Sequence, residues 1–451
     1  NIQGLFEGIM REKFGDLKRF HWRLFAALCA LAFVPAIYQT VKTFLISSSG
    51  QDPAFDVIGQ MEWFDLIDET LRAFLIIPLY SVLNKILSGD GKNFARYTFK
   101  TGLITLFIYT LFSVGVLFYG IVLIKAMNPN EIDITAVDRY LKLETIAFMA
   151  GITVNFINVV FVVVGKEKNV YIFLAVKTVM SLIVDFALIP NMGIYGAAVS
   201  NIIVNAILAA ASYIVLHVQK YIEPCWLRKS DLSVFKGWCR TGVFSGGQQF
   251  IDTLIYALVV CKMVNMVAEQ GNYWIANNFI WGWLLIPISA LSQVIRHDCK
   301  DGYHKLKHWN YYFIAAAAVA VWAITIPLWT PFYRYAEHLG NADEIFLITI
   351  KLVPFYVAYA GSAVMDNIFI GLGKTTYNAI NSLVVNLIYY GIFYILYRTG
   401  IITFSMDVII LIFGFGMVVH LIVAVIEERL FLCKFEKKEW LSSEDCKSVL
   451  C

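Results

Sequence analysis

The sequence predicts an all-α polytopic membrane protein, with twelve transmembrane helices in two pseudo-symmetric six-helix bundles. Three observations predict it. The 451 residues are 59% hydrophobic and only 15% charged, with a mean hydropathy of +0.67, whereas a soluble domain carries about 25% charged residues. Twelve stretches hold the ~20 mostly apolar residues that cross a bilayer. The loops joining them alternate between rich and poor in Lys and Arg. A chain this apolar has too little polar surface to dissolve, which excludes a soluble enzyme and a nucleic-acid binder. A disordered chain needs the opposite composition.

Residues 1–21 are expected to form a cytoplasmic lead-in. Within it, Gly4 to Arg23 reads as a basic amphipathic segment on the membrane surface and not as a signal peptide. Because the chain opens at Asn1, its natural start is expected upstream. The predicted spans cover about 22–46, 58–84, 99–126, 139–164, 170–190, 193–218, 238–267, 273–296, 309–331, 346–371, 376–398 and 405–432. The longest polar break follows the sixth span, from His217 to Arg240, and holds Pro224 with Arg228, Lys229 and Lys236. It divides the chain into an N-lobe (22–218), a cytoplasmic linker (219–237), a C-lobe (238–432) and a cytoplasmic tail (433–451).

The net charge of +3 says little until the charges are placed. With the N-terminus inside, the inner segments collect Arg11, Lys13, Lys18, Arg19 and Arg23, then Lys85, Lys92, Arg96 and Lys100, then Lys166 and Lys168. Lys220 and the linker cations follow, then Arg296, Lys300, Lys305, Lys307 and Lys374, and last Arg429, Lys434, Lys437, Lys438 and Lys447. The outer loops hold Arg334 and Arg398 beside acids such as Asp52, Asp56, Glu131 and Asp133. Cationic loops stay inside, so both termini are placed in the cytoplasm of a multi-pass cell-membrane protein. An odd number of spans would break this alternation.

The halves also repeat weakly. Gly165-Lys166 follows the fourth span and Gly373-Lys374 the tenth, each a tight cytoplasmic turn into an apolar helix. Parallel repeats of this kind are a transporter trait, with the substrate site between them. The competing reading is that Gly-Lys marks any tight cytoplasmic turn. The eight cysteines (Cys29, Cys225, Cys239, Cys261, Cys299, Cys433, Cys446, Cys451) include no CxxC pair. Neither a disulfide framework nor a zinc site is signalled, and no metal or organic cofactor is expected.

Four segments resemble the MATE (multidrug and toxic compound extrusion) transporters of the MOP superfamily. Ile37-Tyr38-Gln39-Thr40-Val41-Lys42-Thr43-Phe44-Leu45-Ile46 is similar to that family's LYNLVDTIFVG pattern in the first helix. The stretch from Asp185 to Ala198, with Pro190 and Gly193 inside it, resembles the turn between helices five and six. Gly246-Gly247-Gln248-Gln249-Phe250-Ile251-Asp252 resembles the seventh-helix stretch ending in an acid, and Gly371-Leu372-Gly373-Lys374-Thr375 stands where the family has GAGDT. The likeness runs over nearly the whole chain. Each motif alone is degenerate and apolar.

Ionisable groups inside spans are costly and are read as functional by default. The second span holds Glu62, Asp65, Asp68, Glu69 and Arg72, which at about 100° per residue share one arc of roughly 120°. Such a stripe cannot face lipid, unless this end of the helix projects from the membrane as a solvated face. The resemblance implies an Asp at position 42, coupled to protons or sodium and partnered by an acid on helix five. This chain keeps Asp185 and Asn155 and puts Lys42 in place of the first acid, which argues against the usual carboxyl pair. Lys42 is instead expected to pair with Asp185, Asp65 or Glu69, the alternative being that it snorkels to the outer surface. In the second half, Asp252 aligns with a family cation site, and Asp366 sits late in the tenth span.

The expected cation-coupling residues are therefore Asp185, Asp252, Asp366, Asp65, Glu69 and Asn155. The expected substrate-binding residues are Lys42, Gln39, Arg72, Gln249, Lys262, Asn277, Asn278 and Tyr356. His420 reads as a packed histidine. The resemblance implies a secondary-active exporter, a monomer in the lipid bilayer, that moves an amphipathic cationic or zwitterionic molecule outward by H⁺ or Na⁺ antiport. No Walker motif is present, so ATP is not its direct energy source. A flippase for a lipid-linked saccharide or other anionic substrate is the alternative within the superfamily. A membrane enzyme is the alternative from another class: Asp65-x-x-Asp68-Glu69 resembles an Asp-rich Mg²⁺ site, but no second such motif accompanies it.

Overall fold

The structure, a computed structural model, describes residues 17, 20–50, 54–89, 93–128, 133–225, 238–239, 250, 253–267, 269–299, 302 and 305–448. Among them every regular element is helical. The first half comprises α1 (Trp22–Ser48), the short α2 (Ala54–Gln60), α3 (Glu62–Gly89), α4 (Phe94–Met127), α5 (Ile134–Val163) and α6 (Glu167–Val218). The second comprises α7 (Lys262–Met266), α8 (Gln270–Phe279), α9 (Ile286–Cys299), α10 (Lys305–Pro331) and α11 (Ala342–Gly371). It ends with α12 (Thr376–Leu383), α13 (Gly391–Arg398) and α14 (Met406–Ser448), whose last turns carry the helix into the expected tail. The lead-in is described only at Leu17, Phe20 and His21, and the linker cations at 228, 229 and 236 lie outside the described residues.

Eight described helices are long and apolar enough to cross a membrane, and a ninth if the Gln270–Leu284 arm and α9, bent by 51°, count as one span. Two more spans follow from particular residues. Helix α6 has 52 residues, about 78 Å at 1.5 Å per residue, more than twice the ~30 Å hydrocarbon layer. It breaks where Gly193 adopts φ 55°, ψ −134°, a left-handed conformation that favours glycine. Pro190 lacks the N–H that would carry the ladder through. A Cβ on Gly196 would stand 2.6 Å from the Leu188 carbonyl oxygen, so the chain closes tightly over the break. This is the boundary predicted between spans five and six. Helix α3, with 28 residues, has a span's length and falls outside the apolar class because its first turns carry the five charges. Of the seventh predicted span, only Trp238, Cys239, Phe250 and 253–267 are described.

By internal contacts the chain forms two compact units. One holds Ile37–Ile275 with Phe332–Ile345, the other Asn1–Ala36, Ala276–Pro331 and Phe346–Cys451. In the first, Trp63 and Phe64 of α3, Ile124 of α4, Leu141 of α5 and Ala198 of α6 share one buried cluster. Leu79, Leu83, Tyr109, Phe161 and Leu216 share another. Lipid tails are as apolar as these side chains, so close packing and polar contacts hold such helices together more than exclusion from water does. The opposite faces carry large exposed apolar groups, such as Phe118 and Val122 on α4 and Ile324 and Leu328 on α10, as lipid-facing surfaces do.

Candidate functional site

The acidic stripe of α3 meets α4 and α5 in the first unit, and Asn201 of α6 joins it through Glu144 of α5. Asp68 is buried. One of its oxygens accepts a hydrogen bond from the Tyr109 hydroxyl of α4, and the other pairs with the Arg72 guanidinium one turn on. Arg72 also lies 4.8 Å from the centre of the Phe148 ring of α5. A guanidinium is always charged, so Asp68 and Arg72 compensate one another. Glu144 of α5, 5% exposed, is held differently. Asn201 of α6 donates to its Oε1 at 3.1 Å and approaches Oε2 at 3.5 Å, and Tyr140 also hydrogen-bonds it. These partners are neutral, and a buried carboxylate with neutral partners needs a cation for charge balance. Asp65 and Glu69 are exposed along the same stripe, and Glu62 is hydrogen-bonded to Tyr256. On another face of α3, Ile67, Leu71 and Phe74 line an apolar recess of about 260 Å³ with Phe112 and Leu254.

The expected partners of Lys42 need correction. Among the described residues Lys42 makes no ion pair with Asp185, Asp65 or Glu69. Tyr38, one turn earlier on α1, donates to Asp185 Oδ2 at 2.8 Å, and Asp185 Oδ1 is buried without a hydrogen-bond partner among the described residues. The tyrosine occupies the approach to Asp185 and leaves the ammonium one turn further along. Lys42 acts on Glu144, whose carboxyl feels its field ahead of that of Arg72. Asn155 lies three turns beyond Glu144 on α5, about 16 Å along the axis, and does not join this group. Gln39 is half-buried on α1.

The second unit brings together a different set. His420 Nε2 of α14 lies 2.9 Å from Asp366 Oδ2 of α11, so the histidine read as packed is a partner of a predicted coupling acid. Asn378 donates to the Asp366 carbonyl and Asn381 to the His420 carbonyl, both at 3.1 Å. Two turns along α14, both carboxyl oxygens of Glu427 are buried without a hydrogen-bond partner among the described residues. Beside Asp366, Asn367 accepts from Arg296 Nε at 2.5 Å and donates to Ser292 Oγ at 2.9 Å.

The other predicted residues are scattered. Tyr356 is fully buried; it donates to Asn277 Oδ1 at 2.7 Å and accepts from Trp281 Nε1 at 3.1 Å. Tyr356 and Asn277 thus bond one another inside the unit. Asn278 keeps a buried amide nitrogen with no partner among the described residues. Lys262 is half-buried in α7. Gln249 and Asp252 lie outside the described residues.

Sequence reasoning missed Glu144, Tyr38, Asn201 and Glu427 altogether. Glu144 was findable, as an acid inside the predicted fourth span; the partners were not, because they stand on other helices.

No family model and no curated protein matches the chain. Solved structures do. An inward-facing multidrug resistance MATE family transporter of the MOP superfamily superposes with a TM-score of 0.71 at 15% identity, covering 89% of this chain and 95% of that one. A MOP superfamily transporter from Pyrococcus furiosus, described as having a binding pocket of reverse polarity, gives 0.63 at 15% identity over 93% and 98%. The lipid II flippase MurJ, in an inward closed conformation, gives 0.70 at 11% identity over 90% and 87%. This chain is an all-α, multi-pass membrane protein. Its fold is that of the MATE transporters of the MOP superfamily.

Proposed function

We propose that the protein is a secondary-active exporter that moves an amphipathic cationic or zwitterionic small molecule outward by alternating access. The driving force is the inward flow of H⁺ or Na⁺. It acts as a monomer in the cell membrane with both termini in the cytoplasm, and it is not an enzyme. The observation that carries the reading is Glu144, a buried carboxylate in the outer part of its span, held by Asn201 and Tyr140 within the field of Lys42 and Arg72. Such a group gains most from a transported cation, which makes it the coupling site in place of the carboxyl pair that Lys42 interrupts. Asp65 and Glu69 offer that cation a path, and the apolar recess on α3 suits the body of an amphipath.

A lipid-linked saccharide flippase is the second reading, favoured by the similarity to MurJ over most of both chains. Purified protein in proteoliposomes, loaded with a cationic dye and given either a proton or a sodium gradient, tests the first. Dye export under one of the gradients supports it. Gradient-independent translocation of a lipid-linked oligosaccharide, with no dye export, would move the assignment to the flippase.

A further inference from the structure

We propose that His21, His297 and Asp298 form a binding site for a borderline divalent transition-metal ion of the Zn²⁺ type. The three donors come from segments far apart in sequence: His21 stands just before α1, and the other two lie in the last turn of α9. All of them belong to one compact unit. His21 Nδ1 is 2.6 Å from Asp298 Oδ1 and His297 Nδ1 is 3.6 Å from the same oxygen. The two rings stand 5.6 Å apart and perpendicular, at 89°. Their donor atoms all fall within 4.8 Å of one another.

The asymmetry of exposure suits a metal better than a simple ion pair. The Asp298 side chain is 1% exposed, while His21 and His297 are 47% and 50% exposed. A buried anion therefore sits beneath two exposed imidazoles. Tyr311 of α10 donates to the other carboxylate oxygen at 3.0 Å, an outer-shell contact of the kind that orients metal-ligating carboxylates. Phe20, 7% exposed, packs near the Tyr311 ring with centroids 6.5 Å apart and anchors the residue before His21.

Zn²⁺ binds imidazole nitrogen and carboxylate oxygen at about 2.0–2.2 Å, which places tetrahedral donors about 3.4 Å apart. Small movements of the two exposed rings reach that spacing, opening the 2.6 Å contact and closing the wider ones. Two nitrogens and one oxygen leave a fourth position for water. This donor set suits Zn²⁺, Ni²⁺ or Cu²⁺ and not the all-oxygen preference of Mg²⁺ or Ca²⁺. The ion takes the place of the hydrogen bond between His21 and Asp298, with the ligands bound as neutral imidazole and carboxylate. Bound metal would clamp the chain entering α1 to the end of α9.

The test uses the full-length protein in detergent, purified through a tag without histidines and stripped with a chelator. Zn²⁺ is titrated by calorimetry, and Co²⁺ by visible absorption as a reporter of nitrogen–oxygen coordination. The proposal predicts one saturable site per chain. His21→Ala and His297→Ala should each abolish it, Tyr311→Phe should weaken it about 10–100-fold, and His338→Ala should leave it intact. Both histidines are exposed, so unchanged thermal unfolding of the metal-free variants shows that lost binding is not lost fold. Absence of a saturable site in the wild type, or a site that survives His21→Ala combined with His297→Ala, would overturn it.

Discussion

The two polar constellations solve the same physical problem with different chemistry. In the first unit, a permanent cation, Arg72, sits on one carboxylate and leaves Glu144 with neutral hydrogen-bond partners. In the second, the partner of Asp366 is a histidine, whose charge exists only when it is protonated. Their places along their own spans also differ. Asp68, Glu144, Asp185 and Asn201 lie within about ten residues of the predicted outer ends of their spans, roughly 15 Å of helix. Asp366, Glu427 and Arg296 lie close to the predicted inner ends of theirs. The first unit thus holds a fixed charge pair beside Glu144, whereas the second holds a contact to an imidazole. The proposed coupling site therefore belongs to the first unit, and the histidine–carboxylate contact to the second.

The largest effect is expected from removing the permanent cation. Arg72→Ala strands a buried Asp68 and should cost about 3–5 kcal/mol, read as a lowered unfolding temperature in detergent. Adding Asp68→Ala should recover part of that loss. If instead the two changes add simply, the first constellation has no charge anchor. His420→Ala should cost less, about 1–3 kcal/mol for the half-buried Asp366 carboxyl left without this partner. A cost as large as that of Arg72→Ala would erase the contrast between the two units.

Much of this was legible in the sequence and some of it could not be. The break at Gly193 followed from the span boundaries and the family resemblance, and the charged face of α3 from helical spacing. Spacing within one helix says nothing about which residue of a neighbouring helix arrives first. That is why Lys42 looked like the partner of Asp185, while Tyr38 holds it. The same gap hid the pairing of His420 with Asp366, whose residues stand 54 positions apart. It also hid the meeting of His21 with Asp298, 277 positions apart.

Smaller changes sharpen the picture. Lys42→Ala and Asp185→Ala should be additive in stability within about 0.3–0.5 kcal/mol, as for sites without a shared partner, whereas Lys42→Ala and Glu144→Gln should couple by more than that. Coupling between Lys42 and Asp185 would restore the salt bridge that the sequence suggested.

Outside the spans, Glu337 provides a control. Burial pushes its carboxyl from 4.5 up to about 8, and its Oε2 has no hydrogen-bond partner among the described residues. The folded state therefore holds this proton more tightly than the unfolded state. The stabilisation is complete below about pH 4.5 and is lost as pH rises through about 8. Glu337→Gln should flatten the pH dependence of unfolding over that window and leave the effect of His420→Ala in place. A pH profile unchanged by Glu337→Gln would mean that its carboxyl reaches water.

The central claim is that Glu144, and not Asp185, carries the coupling cation. The most direct measurement is dye export from proteoliposomes under an imposed cation gradient, compared between Glu144→Gln and Asp185→Asn at matched protein density. Glu144→Gln keeps the side-chain shape and can still bond Asn201. The account predicts that it abolishes gradient-driven export while leaving dye exchange across ungraded membranes, and that Asp185→Asn retains gradient dependence. Gradient-driven export at the wild-type rate in Glu144→Gln would contradict it.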